Sequence, residues 1–403
     1  MNPKVILLIE FSNGGHKEAF MQFFVKALLE LGHEVICVMP DTTAVKKWVA
    51  NNTNISSAHF FDLPTPQKTV KKFGRFNQAV STILLWRNQT KKVKYIEQQI
   101  GKKTDLVYFN WLDSLMANYL PSSFVDLIFP YKWSGLYFHP VIFRQRPQYL
   151  KSSATARDVD AVFLSKNCIG ITMHDEGILE IYGKRIKKTT LLFPEIADGT
   201  PPNPNHILAN KIKKQANGRT IVGIIGLEPH KGISSLVRIA KVANPQQFFF
   251  AFTGLFYEEL YDNITEEKRN DILDFKNNLP ENCIWETGSL TEGEDYNSVF
   301  CSFDIIHIIY KEFYSSSNRL TKAAIFNKLV LGCNYGCVGE DIPKYNLGAV
   351  ADEEDTTEQY QKLQELRMRI LQKDFPYDNW TIYQNKHSVE ILPNKFEELL
   401  NLL

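Results

Sequence analysis

Between Arg219 and Ala240 the chain reads RTIVGIIGLEPHKGISSLVRIA. An apolar run ends at Gly226, the polar turn Glu228-Pro229-His230-Lys231-Gly232 follows, and apolar residues then recur at helical spacing. The pattern predicts a strand, a short loop and a helix. In an open α/β sheet such a junction lies at the carboxyl end of a strand, where the free N–H groups and positive dipole end of a helix favour an anion. Lys231 adds a full charge there, and Gly232 lets backbone approach a ligand without a Cβ in the way. Glycine and lysine also serve plain turn and surface roles in αβ connections, so the loop alone leaves both readings open.

Working outward, the second half repeats the alternation through QQFFFAFTG, ENCIWETGSL, FDIIHIIY, NKLVLGCNYG and LGAVADE, with helical patterns such as LTKAAIF between them. The first half does the same. Lys4 to Glu10 reads as a buried strand, FSNGGH as its loop, and KEAFMQFFVKALLELGHE as a helix stopping at Gly32, before the strands EVICVMPD, TDLVYFNW and KWSGLYFHP and a last one in KKTTLLFPEIAD. The expected fold class is α/β, two doubly wound parallel-sheet, Rossmann-like domains. The Pro, Gly and Asn cluster at 194–206 is the expected linker, dividing a first domain at 1–193 from a second at 207–378. Two helical patterns at 379–403, broken near Pro393, are expected to return to the first domain.

With 403 residues, 44% of them hydrophobic, the chain can bury two cores, and a net charge of +1 provides no global field to gather nucleic acid. The six cysteines are scattered without a CxxC pair, which fits neither a disulfide framework nor a zinc site and suggests a reducing, cytoplasmic compartment. The apolar run at the amino terminus is too short for a signal-peptide core or a membrane span. Residues 68–103 form the one basic amphipathic region: Lys68, Lys71, Lys72, Arg75, Arg87, Lys91, Lys92, Lys94, Lys102 and Lys103 interleave with Phe73, Phe76, Leu84, Leu85 and Trp86. It reads either as a solvated helix face or as a surface for an anionic membrane or acidic acceptor, peripheral to the inner face of the membrane.

Two such halves, with Gly14-Gly15 after the first strand of one and Lys231-Gly232 after the first strand of the other, resemble the GT-B architecture, and more narrowly the retaining glycosyltransferase family 4. The resemblance implies two domains facing across a cleft, a UDP- or GDP-linked sugar as co-substrate, transfer of a hexosyl group to an acceptor hydroxyl, and no metal or other cofactor. It implies that Gly14 and Gly15, with His16 beside them, border donor and acceptor, that His139 at the end of GLYFHP lies near the transferred sugar, and that the loop at Gly226, Lys231 and Gly232 holds the donor's pyrophosphate. Gly288, Ser289 and Leu290 would border the base, with Tyr296 packing. Asp113 and His139 are candidates to orient acceptor or sugar hydroxyls, and Asn110 lies on the acceptor side. His139, Asp113 and Lys231 make up the candidate catalytic set.

The chain departs from the family at two places. Leu227 and Glu228 stand where the family places an arginine, so the pyrophosphate loop lacks its second cation; His230 could serve only when protonated. In YSSSNRLTKA the family's two glutamates, eight residues apart, are replaced by Tyr314 and Lys322. Ser315, Ser316, Ser317 and Asn318 precede the following helix and could either hold phosphate or sugar oxygens or cap the helix. Lys322 is donor-only and cannot accept from ribose hydroxyls, though it could meet a phosphate. Arg319, at the start of the same helix, is the candidate for the missing cation. The first reading is therefore a nucleotide-sugar glycosyltransferase. A non-catalytic GT-B-like protein binding sugar, nucleotide or a partner is the second, and a sugar-nucleotide epimerase the third. The acceptor classes left open are a glycan, a lipid-linked group or a small molecule.

Overall fold

The structure is a computed structural model describing residues 2–13, 16–54, 56–64 and 76–403, with the side chain of His16 outside the description. Two compact units divide the chain: Met1–Pro194 with Ser388–Leu403, and Glu195–His387.

In the first unit the strands are β1 (Val5–Ile9), β2 (Glu34–Met39), β3 (Ala58–Asp62), β4 (Leu106–Phe109), β5 (Trp133–Tyr137), β6 (Ile171–Met173) and β7 (Thr190–Leu192). They form a seven-stranded sheet in the order β3-β2-β1-β4-β5-β6-β7, with parallel pairing throughout. The second unit contributes β8 (Thr220–Ile225), β9 (Phe248–Gly254), β10 (Cys283–Thr287), β11 (Ile305–Ile308), β12 (Leu329–Cys333) and β13 (Gly348–Ala351). Its sheet is also parallel, in the order β10-β9-β8-β11-β12-β13. Helices cover both faces of such sheets, so strands such as β8 and β9 are buried at every position and read as near-continuous apolar runs. In each sheet the strand order reverses once, between β1 and β4 and between β8 and β11. Ligands of open α/β sheets gather at the carboxyl ends of the strands flanking that reversal.

The segment after β7 is less free than its composition suggests. Glu195, Ile196 and Ala197 are buried and belong to the second unit, because Ser316 Oγ donates to Glu195 Oε2 and Asn318 Nδ2 donates to Ile196 O. Asn297 Nδ2 then donates to the carbonyls of Asp198 and Thr200. The chain therefore crosses between Pro194 and Glu195 and runs pinned along the second unit up to the helix Ile207–Ala216. The carboxyl-terminal segment is divided too. The helix Tyr377–Lys386 stays with the second unit, and the helix Leu392–Leu400, with Pro393 in its first turn, belongs to the first. There Phe396 packs edge-on against Phe24, Tyr108 and Phe193, with centroids 5.1, 5.4 and 5.1 Å away.

The helix Asn77–Ile100 carries most of the described part of the basic region, and beyond its end Lys102 and Lys103 pair with Glu34 and Glu97. Its buried face holds Trp86, whose Nε1 donates to Leu115 O, and Lys92, whose ammonium donates to Leu63 O at 2.9 Å. Burial lowers the Lys92 pKa to about 8. Arg87, Lys91 and Lys94 are exposed, beside the exposed Leu84 and Tyr95. Lys68, Lys71, Lys72, Phe73 and Arg75 lie outside the described residues. No helix among the described residues is long and apolar enough to cross a membrane.

Candidate functional site

At the reversal in the second sheet, β8 ends and Gly226 turns with φ +82°. A one-turn 3-10 helix, Pro229–Lys231, leads to Gly232 at φ +88° and then to the helix Ile233–Val242. Gly232 has no substitute here: a Cβ would lie 2.0 Å from Ile309 O, and left-handed backbone is strained for other residues. A Cβ on Gly226 would lie 2.7 Å from Lys231 Nζ and 3.0 Å from both Arg319 Nη2 and Glu228 Oε2. Two cations and one carboxylate thus converge on the face of the loop that glycine leaves open.

Their electrostatics are coupled. Lys231 Nζ is 2.6 Å from Glu228 Oε2, and burial together with the nearby Arg319 lowers the lysine's pKa to about 8. Burial alone would raise the Glu228 carboxyl, but Lys231 and then Arg319 hold it below the usual carboxylate range. Arg319 is only 9% exposed. Its Nη2 donates to Ile225 O, while Nη1 is buried without a hydrogen-bond partner among the described residues. Burial works against its charge, and Tyr310, Tyr296 and Glu228 more than offset that effect. His230 is shifted the other way: partial burial and Lys231 lower its pKa. It is neutral at pH 7 and does not supply a second cation.

Other residues of the helix Asn318–Ile325 and its approach are occupied elsewhere. Lys322 is fully buried, with its ammonium 2.5 Å from Glu292 Oε1 and 2.6 Å from Asn297 Oδ1 and 4.6 Å from the Tyr296 ring centroid. A buried ammonium needs such partners, so Lys322 points its charge at protein groups. Ser316 and Asn318 hold the crossing segment, and Ser317 Oγ pairs with Tyr310 OH at 2.9 Å. Neither of the two roles weighed for these residues, capping and ligand contact, accounts for those bonds, and Ser317 makes no side-chain cap. Ser315 Oγ is buried with no hydrogen-bond partner among the described residues. Tyr314 packs at a tilt beside Tyr335, ring centroids 5.2 Å apart. Gly288 is exposed, and a Cβ there would meet nothing within 4 Å; Leu290 packs against the core.

The reversal in the first sheet carries a second polar cluster. Glu10, after β1, is fully buried and accepts from the N–H groups of Phe11 and Ser12 at 2.8 and 3.1 Å and from Asn110 Nδ2, after β4, at 2.8 Å. Lys17 Nζ lies 3.7 Å from Glu10 Oε1 and 4.7 Å from the Trp111 ring centroid. Asn110 Oδ1 is buried without a partner among the described residues. Asp113 accepts from the backbone N–H groups of Phe138 and His139 at 3.0 and 2.9 Å, and His139 Nδ1 is 3.7 Å from Asp113 Oδ1. Asp113 therefore fixes the end of β5. Gly14 and Gly15 lie outside the described residues, as does the side chain of His16, the first residue of the helix His16–Glu30. Sequence reasoning missed Glu10, Lys17 and Trp111; the available signal was an acidic residue closing an otherwise apolar strand. No group of three or more His, Cys, Asp or Glu among the described residues could hold a metal ion.

No protein-family model and no curated protein sequence matches the chain. Solved structures do. A glycosyltransferase from Rickettsia africae aligns with a TM-score of 0.63 and 15% identity, covering 100% of this chain and 99% of that one. Anabaena HepE in complex with UDP and glucose aligns at 0.65 and 13%, covering 100% of each. Sucrose-phosphate synthase from Thermosynechococcus elongatus aligns at 0.67 and 14%, covering 99% and 98%. The chain has the GT-B fold. Both parallel sheets of a GT-B protein are thus accounted for by this chain's two units.

Proposed function

We propose that this GT-B chain is a nucleotide-sugar-dependent glycosyltransferase. The observation that carries the reading is the convergence of Lys231 and Arg319 on the open face of Gly226, at the strand-order reversal of the second sheet. Two cations at a glycine-lined helix start suit the diphosphate of a nucleotide sugar. Arg319 stands in for the cation that Leu227 and Glu228 do not provide, and its unpartnered Nη1 has a donor left for a phosphate oxygen. As the bond from the sugar's anomeric carbon to the diphosphate oxygen breaks, negative charge grows on the leaving group, and Lys231 and Arg319 stabilise it. The donor is a UDP-type sugar in this reading, supported by the HepE complex with UDP-glucose; transfer is of a hexosyl group, with retention, and the chemistry needs no metal. On the first unit, Asn110 Oδ1 and His139 are the groups to orient the acceptor, with Gly14, Gly15 and His16 beside them; Asp113 sets the position of His139. The exposed Arg87, Lys91 and Lys94 beside Leu84 and Tyr95 suit peripheral contact with an anionic membrane, which would bring a lipid-linked acceptor to a cytoplasmic enzyme.

A second reading is favoured by one observation: Glu228 already neutralises Lys231, and neither Tyr314 nor Lys322 supplies a carboxylate. In that case the chain binds a nucleotide or sugar without turning it over. Calorimetry with UDP and GDP, followed by release of UDP from UDP-glucose without acceptor, separates the two. Binding with slow release supports the transferase; binding with none above background supports the binder; no nucleotide binding at all sinks both.

A further inference from the structure

A pocket open to solvent lies beside the same loop, its roughly 410 Å³ of space counted together with its open mouth. It shares Pro229 and Gly232 with the loop, while Gly226, Glu228, Lys231 and Arg319 take no part in its lining. Its lining includes the apolar Ile233, Ile264, Ile272 and Ile309. It also includes the cations Arg238, Lys268 and Lys311. The guanidinium of Arg238 is held rigidly, donating to Ser234 Oγ, Thr356 Oγ1 and Glu353 O at 3.1, 3.2 and 2.7 Å.

The chain's own Glu354 occupies this cationic rim. Its Oε1 is 2.6 Å from Lys268 Nζ and its Oε2 is 3.4 Å from Arg238 Nη2, and Lys311 lies within electrostatic reach of the same carboxylate. Glu354 sits in the loop between β13 and the helix Thr356–Gln372, and its side chain is 54% exposed, so it can turn to solvent without unfolding anything. Lys311 has no ion pair of its own among the described residues. With Glu354 turned out, three cations would face the single carboxylate of Glu353, itself engaged by Tyr335 OH at 2.7 Å. That leaves a net charge of about +2, the complement of a phosphate monoester near neutral pH.

We propose that this cavity is a second anion site, taking a small phosphate monoester with an apolar body, and that Glu354 fills it in the ligand's absence. The phosphate displaces Glu354 from Lys268 and Arg238 and gains Lys311; the apolar body lies against the isoleucines. The proposal does not depend on the donor reading, since of the donor loop only Pro229 and Gly232 line the cavity and neither Lys231 nor Arg319 does.

The test is calorimetric titration of the full chain with phenyl phosphate, in the presence of saturating UDP and again in a Lys231→Ala variant, so that the result stands whether or not UDP binds. One site is expected in both. Glu354→Gln removes the internal competitor and is expected to tighten binding about tenfold, while Lys268→Ala with Lys311→Ala weakens it by about tenfold or more. Inorganic phosphate is expected to bind more weakly than phenyl phosphate. The proposal is overturned by an absence of binding in both wild type and Glu354→Gln, by affinity unchanged in the double lysine variant, or by inorganic phosphate binding as tightly as the phenyl ester.

Discussion

Lys231, Glu228 and Arg319 form a charge triplet in which each side chain sets the state of the others. With its pKa lowered to about 8, Lys231 is a cation at neutral pH and loses its proton just above. A diphosphate needs that proton in place, so UDP affinity is expected to be full at about pH 7 and below and to fall as the pH rises through about 8, measured by calorimetry in matched buffers. Lys231→Arg should remove this dependence, because arginine stays charged throughout the range. In the proposed donor site Glu228 would compete with the diphosphate for both cations. Glu228→Gln is expected to strengthen UDP binding by several-fold, roughly 1 kcal/mol, and an unchanged or weakened affinity would place Glu228 outside the site. Lys231 and Arg319 were both legible as candidates because each sits at a helix start in a recognisable pattern. The carboxylate between them was visible only as an absent arginine, since a sequence does not say which way a side chain turns.

At the scale of the element, the helix Asn318–Ile325 does two jobs from successive turns. Arg319 faces the loop at Gly226, and Lys322, one turn on, is sealed against Glu292 and Asn297. Glu292→Gln leaves the buried ammonium without a countercharge and is expected to destabilise the chain by about 1–3 kcal/mol. Lys322→Met removes the charge along with the need for one, and should be milder. Urea denaturation of the two variants checks the order. Gly232→Ala meets Ile309 O and a left-handed backbone together, and is expected to lower stability by more than about 2 kcal/mol. The strands were legible from runs of Val, Ile, Leu and Phe, and the loop from its glycines. The partners of Ser316 and Asn318 were not, because they come from residues 195–196, more than a hundred positions away along the chain.

For the whole molecule, the alternation of strand and helix patterns made two parallel sheets legible, and their reversals follow from the strand order. The exact crossing points were harder to read. A Pro- and Gly-rich composition marks a break in regular structure, yet the segment after Pro194 is pinned by side chains of a distant helix. Amphipathic periodicity announces a helix without naming the surface that takes it, which is why the segment 379–403 read as one returning body while the helices Tyr377–Lys386 and Leu392–Leu400 go to different units. Phe396→Ala should cost about 3–5 kcal/mol and should raise hydrogen exchange in the first unit, around Phe24 and Tyr108, while leaving β8 to β13 as protected as before. Equal loosening of both sheets would contradict this division.

The return of Leu392–Leu400 also bears on the order in which the protein takes shape during synthesis. Domains on one chain ordinarily fold as they leave the ribosome, the earlier one first. Here Phe24, Tyr108 and Phe193 wait for Phe396, which is translated only after the whole of Glu195–His387. The later unit can therefore close while the earlier one is still lacking a piece of its interior, and a nascent chain stalled before Ser388 carries an exposed aromatic surface on its amino-terminal half.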